Sequence, residues 1–326
     1  MKWTVCRQVG AFAFALVALG APHYAGAQAY PTKPVRILVG YAPGGGTDIM
    51  ARAIAQKLSE SLGQQFIVDN RPGANANLAA ELAARAAPDG YTLLMISVSH
   101  AISKPVYRKL AYDIERDFVP VIEVSSVPQF LVVGPAQPWK SVQELIAAAK
   151  ARPGEIAYGS SGNGSPEHIA GELFKSMAGV DLIHIPYKGG GPAAVGLIAG
   201  ETPVGFNTAP VAIPYIKSGR IRALAVTEDR RNPAMPDVPT LAESGLPGYA
   251  MTTWYGLVAP SGVPREVSAK LNAEINRILK LPEVRERFAS LGADPVGGSA
   301  EQFGAYIKAE VAKFARLAKE RNIVLE

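Results

Sequence analysis

The chain is 326 residues long, 48% apolar and 19% charged, which leaves room for about two domains with real cores and excludes a disordered or collagen-like chain. A single cysteine, Cys6, excludes a disulfide scaffold and any zinc or iron–sulfur site of the CxxC kind. The net charge of +5 is spread thinly, with no Lys/Arg block and no basic stripe interleaved with aromatics, so no nucleic-acid partner is expected.

Lys2 and Arg7 head an apolar run at 9–21 (VGAFAFALVALGA), which Pro22 and His23 break. A membrane-spanning helix takes about 20 apolar residues, and this run is shorter. Ala25-Gly26-Ala27 and Ala27-Gln28-Ala29 both offer the small-x-small pattern of signal cleavage, so 1–29 reads as a signal peptide and the product as exported. Cys6 precedes the apolar run and is not placed as a lipid-bearing cysteine. Cleavage after Ala27 or Ala29 removes it together with Lys2 and Arg7, and the charge falls by two, from +5 to +3.

A strand at 35–41 (VRILVGY) then runs into a Gly-rich turn at 42–48 (APGGGTD). Apolar residues at helical spacing, Ile49, Ala53, Leu58 and Leu62, predict a helix over 49–62, with Thr47 or Asp48 as N-cap and Gly63 as stop. A strand at 66–69, a helix at 78–87 and a strand at 91–97 complete a βαβαβ unit of a doubly wound parallel sheet. The plan returns with a strand at 156–159, the loop 160–166 (SSGNGSP) and a helix at 167–178 stopped by Gly179. A strand at 182–187, the turn 188–191 (KGGG), a helix at 192–199 and a strand at 202–207 follow. Extended segments at 124–130 and 249–255 fit chain crossings between two lobes, and helices at 265–279, 283–291 and 301–321 would pack back on the first. The expected division is 30–127 with 252–326 for lobe 1, and 128–251 for lobe 2.

In open sheets of strand order 2-1-3, ligands sit outside the carboxyl ends of strands one and three. That rule selects the loops 42–48, 97–100, 160–165 and 207–210, and places 71–77 and 188–191 further out. The candidate ligand-binding residues in the first lobe are Tyr41, Pro43, Gly44, Gly45, Gly46, Thr47, Asp48, Ser97, Ser99 and His100. Those in the second are Ser160, Ser161, Asn163, Gly164, Ser165, Asn207 and Thr208. Two of the loops feed helix N-termini, whose free N–H groups and dipole favour an anion such as a small carboxylate. Each candidate also has a plain structural reading. Asp48 can simply cap its helix, Tyr41 can be a core residue, and the serines can be turn formers.

Enzyme motifs fail on inspection. After Gly44-Gly45-Gly46 a P-loop needs Lys-Ser/Thr where Thr47-Asp48 stands, and a dinucleotide fingerprint needs Gly where Ile49 stands. Asn163 breaks a nucleophile elbow around Ser161. His168 and Glu172 lie four apart but lack a second His at ligand spacing, and His184 alternates with Ile183 and Ile185 in a strand. No catalytic residue, metal or cofactor is expected.

Several motifs together resemble the Bug family, the extracytoplasmic solute-binding receptors of tripartite tricarboxylate transporters. They are 41–48 (YAPGGGTD), 70–73 (NRPG), 87–91 (APDGY), 187–190 (YKGG), 224–227 (LAVT), 236–240 (PDVPT) and 245–249 (GLPGY). The resemblance covers essentially the whole mature chain. It implies an α/β, two-lobed periplasmic-binding-protein fold (type II), each lobe a mostly parallel doubly wound sheet, with the ligand cleft between lobes. It further implies a periplasmic location, a small organic-acid ligand and membrane permease subunits as partners, and a monomer is expected. Family members hold the ligand carboxylate with the loops that stand here at 42–48 and 160–165, partly through water. Many relatives carry Asp where this chain has Asn207, which would repel a second carboxylate there. The alternatives are a sensory partner of a membrane kinase or an exported hydrolase. Ligand identity among dicarboxylates, tricarboxylates, aromatic acids and amino acids is not legible.

Overall fold

The computed structural model describes residues 30–321, so the signal segment and Cys6 lie outside the described residues. The chain opens with β1 (Val35–Val39), α1 (Gly46–Leu62), β2 (Phe66–Asn70), α2 (Asn77–Ala84), β3 (Thr92–Ser97) and α3 (Val98–Val106). β1 lies between β2 and β3 and is parallel to both. Val35, Ile37 and Val39 pack into the core with Met50, Ile54 and Leu58 of α1. Leu38 points the other way, into the core with Ala79, Ala80 and Ala83 of α2 and Ile102 of α3. The strand is apolar on both faces because helices cover both, as parallel strands require.

α1 ends as expected at Gly63, which takes the left-handed conformation (φ 69°). Its start differs: the N-cap is Gly45, and Asp48 sits in the first turn. The Asp48 carboxylate reaches back past the N-cap to accept the Gly44 N–H at 3.0 Å, which folds the loop onto the first turn. The expected loop at 97–100 is also corrected. Ser97 ends β3 and α3 begins directly at Val98, so Ser99 and His100 belong to a helix.

A long strand, β4 (Phe118–Val133), leads to α4 (Val142–Ala151), β5 (Ala157–Ser160), α5 (Pro166–Ala178), β6 (Ile183–Pro186), α6 (Gly190–Ala199), β7 (Val204–Thr208), α7 (Ala209–Lys217) and β8 (Arg222–Val226). The chain returns through β9 (Thr252–Pro260), α8 (Arg265–Leu279), α9 (Pro282–Ser290), β10 (Asp294–Gly297) and α10 (Ala300–Arg321). The first sheet runs β2-β1-β3-β9-β4 with β10 on β4; the second runs β6-β5-β7-β4 with β8 on β4. In each, the first three strands are parallel and the later ones antiparallel, so both sheets are mixed.

β4 belongs to both sheets. Its first part, to Pro128, pairs with β9, and its last five residues pair with β7 and β8. At the changeover the Thr227 hydroxyl accepts from Gln129 N at 2.9 Å and donates to Met251 O at 2.7 Å, tying three chain passages at one point. Backbone bonds from Thr227 N to Gln129 O and from Met251 N to Thr227 O reinforce it.

α10 packs on α3 and β4. Trp254 on β9 is fully buried, edge-on to Phe303 and Tyr306 of α10, and its Nε1 donates to Glu310 Oε2 at 3.1 Å. Glu123 on β4 lies in the same region. Burial, and then the Glu310 charge, push its carboxyl from 4.5 up to about 7. A raised acid holds its proton in the folded chain while the unfolded chain has already lost it. Its contribution to stability is therefore full below pH 4.5 and lost as pH rises to about 7. Glu123→Gln should raise Tm by a few degrees at pH 8, at about 2–4 °C per ~1 kcal/mol recovered, and leave it unchanged at pH 4. Calorimetry at the two pH values checks this, and an equal shift at both would exclude the titration.

Candidate binding cleft between the sheets

Tyr41, Gly45, Gly46, Thr47, Ser97 and Tyr255 line one side of a narrow cleft with a free volume of about 10 Å³. Ser161, Pro166, Glu167 and Gly190 line the other. That volume is room for about one water molecule, so a larger ligand enters only when the two sides part. The residues meet here because helices begin here. Gly46 is the first residue of α1, Ser97 precedes α3, Pro166 and Glu167 open α5, and Gly190 opens α6. Thr208, at the N-terminus of α7, stands beside Gly46: an added Cβ on Gly46 would lie 2.7 Å from its Oγ1 and overlap the Tyr255 hydroxyl. Each helix start carries N–H groups without intrahelical partners and the positive end of a dipole. No Lys, Arg or His lines the cleft. An anion placed here would meet backbone N–H groups and helix dipoles, not cationic side chains.

The two sides touch through glycines. Ala42 N donates to the Lys188 carbonyl at 3.0 Å. A Cβ on Gly191 would come within 2.5 Å of Pro43 O, and one on Gly45 within 3.3 Å of Gly190 N. This corrects the expectation that the loop 188–191 lies further out. The bare backbones of 44–46 and 189–191 let it come into contact with the first Gly-rich loop. Only the Lys188 side chain stays on the surface.

The other outer loop also reaches the site. The Tyr41 hydroxyl donates to Asn75 Oδ1 at 2.8 Å and lies 2.6 Å from Ser99 Oγ. Ala74, Asn75 and Ala76 all have left-handed backbone (φ 46°, 52° and 73°), a strain of about 1 kcal/mol or more each. Gly40 makes room for the turn, since a Cβ there would overlap Ala76. Burial pushes the Tyr41 hydroxyl above its usual range, so it stays a neutral donor at the cleft wall.

Asp48 faces away from the cleft lining. Burial would raise its carboxyl, but bonds from Arg52, Gly44 and Asn70 outweigh this and hold it below the usual range. Asn70 Nδ2 donates both to Asp48 Oδ1 at 2.9 Å and to Tyr41 O at 3.0 Å, which locks the Gly-rich loop to β2. The carboxylate is committed to shaping the loop.

The remaining candidates separate by position. Ser161 lines the cleft and donates to Glu167 Oε2 at 2.5 Å. Ser165 caps α5 through His168 N, and Gly164 N donates to His168 Nδ1. Asn163 is exposed, with its carbonyl accepting from Tyr107. Ser160 is fully buried, 2.5 Å from His184 Nε2, and does not line the cleft. Pro43 and Gly44 stand at the exposed rim, and Asn207 lies buried on β7 beside β4. His100 sits in the core near Tyr112, with Nδ1 against the Ser97 backbone, and burial drops it to about 4. His168 stacks on His184 at 3.9 Å, and burial, then His168, lower His184 to about 3. Among the described residues no group of three or more His, Cys, Asp or Glu could hold a metal ion.

Pro166, Glu167, Gly190 and Tyr255 are lining residues that the candidate set omits. Glu167 carried one readable signal, an acid in the first turn of a helix that follows a candidate loop.

The family model described as "Tripartite tricarboxylate transporter family receptor" matches residues 50–323. Protein BugT of Bordetella pertussis is 38% identical over 302 residues, covering 92% of this chain and 93% of its own length. An R. palustris protein solved with adipate is 39% identical with a TM-score of 0.88, over 90% of this chain and 99% of that one. MatC from Rhodopseudomonas palustris, solved with bound malate, is 32% identical with a TM-score of 0.83, over 88% and 99%. Among the described residues no helix is long and apolar enough to cross a membrane. With this likeness running almost end to end, the chain belongs to the receptor family of the tripartite tricarboxylate transporters, the Bug proteins, whose two-lobed binding fold it has.

Proposed function

We propose that the protein is exported by cleavage of 1–29, captures a small organic acid in its cleft and delivers it to the membrane permease of a tripartite tricarboxylate-type transporter. The observation that carries this reading is the convergence of four helix N-termini on a cleft with no cationic side chain, an arrangement suited to a carboxylate. The adipate and malate bound by two relatives support the ligand class. Lobe 1 is 30–127 with 252–326, lobe 2 is 128–251, and the knot at Gln129, Thr227 and Met251 is the hinge between them. Ligand contacts to both lobes would favour the closed state, and that is the whole mechanism. A hydrolase reading gains nothing from Ser160 and His184, since that serine is sealed from the cleft.

Two outcomes are expected. In a thermal-shift screen of organic acids, a binding acid at ~100 Kd adds about 2.7 kcal/mol and raises Tm by about 5–10 °C. If neutral solutes shift Tm and no carboxylate does, the anion site is wrong. Gly46→Ala should weaken binding of that acid at least tenfold while leaving the circular dichroism spectrum intact, because the new methyl group wedges between Tyr255 and Thr208. Undiminished affinity would mean that closure there is not needed.

A further inference from the structure

Tyrosines apart, Glu167 is the ionisable side chain lining the cleft, and it is 6% exposed. Its Oε2 is held by Ser161, and Ser165 and its own backbone N–H also bond the carboxyl. Its Oε1 faces Gly190: a Cβ built there would be 3.7 Å from Oε1 and 3.7 Å from Gly45 Cα. The acid and the Gly-rich loop thus lie at most two van der Waals contacts apart, so a group held against the loop is within reach of the acid.

No counter-ion reaches it among the described residues. Facing it across the cleft are Tyr41 and Tyr255, on β1's end and β9. On α1, Asp48 is bound to Arg52 and Asn70. On its own helix, His168 is turned to Gly164 N and His184, and Glu172 pairs with Lys175. Near Gly190, α7 contributes the apolar Val211. A carboxylate buried without a cation needs a donor or a proton. Burial accordingly raises the Glu167 carboxyl above its ordinary value.

We propose that Glu167 is the specificity-determining residue of the cleft: it accepts a hydrogen bond from a donor that the ligand carries beside its carboxylate, an ammonium or hydroxyl group, and disfavours a second carboxylate there. The helix starts supply one anion site and Glu167 one acceptor, so the cleft complements an acid with a donor substituent. A plain dicarboxylate would set two like charges within reach of one another in a water-poor space. This inference rests on the carboxylate-receptor reading above.

Matched ligands test it. Titration calorimetry would compare succinate, malate and aspartate; glutarate, 2-hydroxyglutarate and glutamate; and propanoate, lactate and alanine. In at least one series the native protein should favour the hydroxyl or ammonium member by about tenfold or more over the unsubstituted acid. An ammonium ligand should lose most of that preference in both Glu167→Gln and Glu167→Met. A hydroxyl ligand should lose it only in Glu167→Met, because the amide oxygen still accepts. If neither variant folds, Glu167→Asp, which shortens the reach by one methylene, provides the comparison. The inference is overturned if the native protein binds unsubstituted acids as tightly as substituted ones in every series, or if folded variants keep the native ratios. Absence of binding by every acid in all three series would instead overturn the carboxylate reading and this inference with it.

Discussion

The cleft depends on backbone meeting backbone. Gly45 from one side and Gly189 and Gly191 from the other leave too little room for a Cβ, with Ala42 N bonded to the Lys188 carbonyl across the gap. The same approach brings the first residues of α1 and α6 together, so amides from two helix starts share one small space. A Cβ at Gly191 would collide with Pro43 O, and one at Gly46 with Tyr255. The close contact and the exposure of backbone amides therefore have a single cause, the absence of side chains where the two loops meet.

Around that contact the charged groups are arranged so as not to interfere. Asp48 lies in the first turn of α1, yet Arg52, Gly44 and Asn70 consume its acceptor capacity and hold the loop in shape. Burial holds His100, His168 and His184 below the ordinary imidazole value, and each serves packing or capping. Glu167 is the exception, an acid facing the cleft with serine and backbone donors but no cation. The strained turn at 74–76 is kept because its Asn75 anchors Tyr41, whose ring walls the same space.

Much of the fold was legible in local pattern. Apolar spacing marked α1, and Gly63 and Gly179 marked the ends of α1 and α5, since only a left-handed residue finishes a helix that way. The Gly-rich turn after β1 and Ser161 after β5 were legible as cleft residues because they follow parallel strands. α3 was not legible: with Pro105 inside it and polar residues at its start, it read as a loop. β4 was seen only in part, because its 16 residues serve two sheets whose burial patterns differ.

The sequence by itself determined the βαβ units and the strand-to-helix placement of the glycine and serine loops. These follow from periodicity, turn residues and composition, which act within a few residues. Tertiary structure alone decided that the loop 188–191 closes on 42–46, that Asp48 turns away from the cleft, and that Glu167 and Tyr255 line it. Each of these is a contact between segments far apart in the chain, set by how two sheets joined through β4 fold toward one another, and no local pattern encodes that distance.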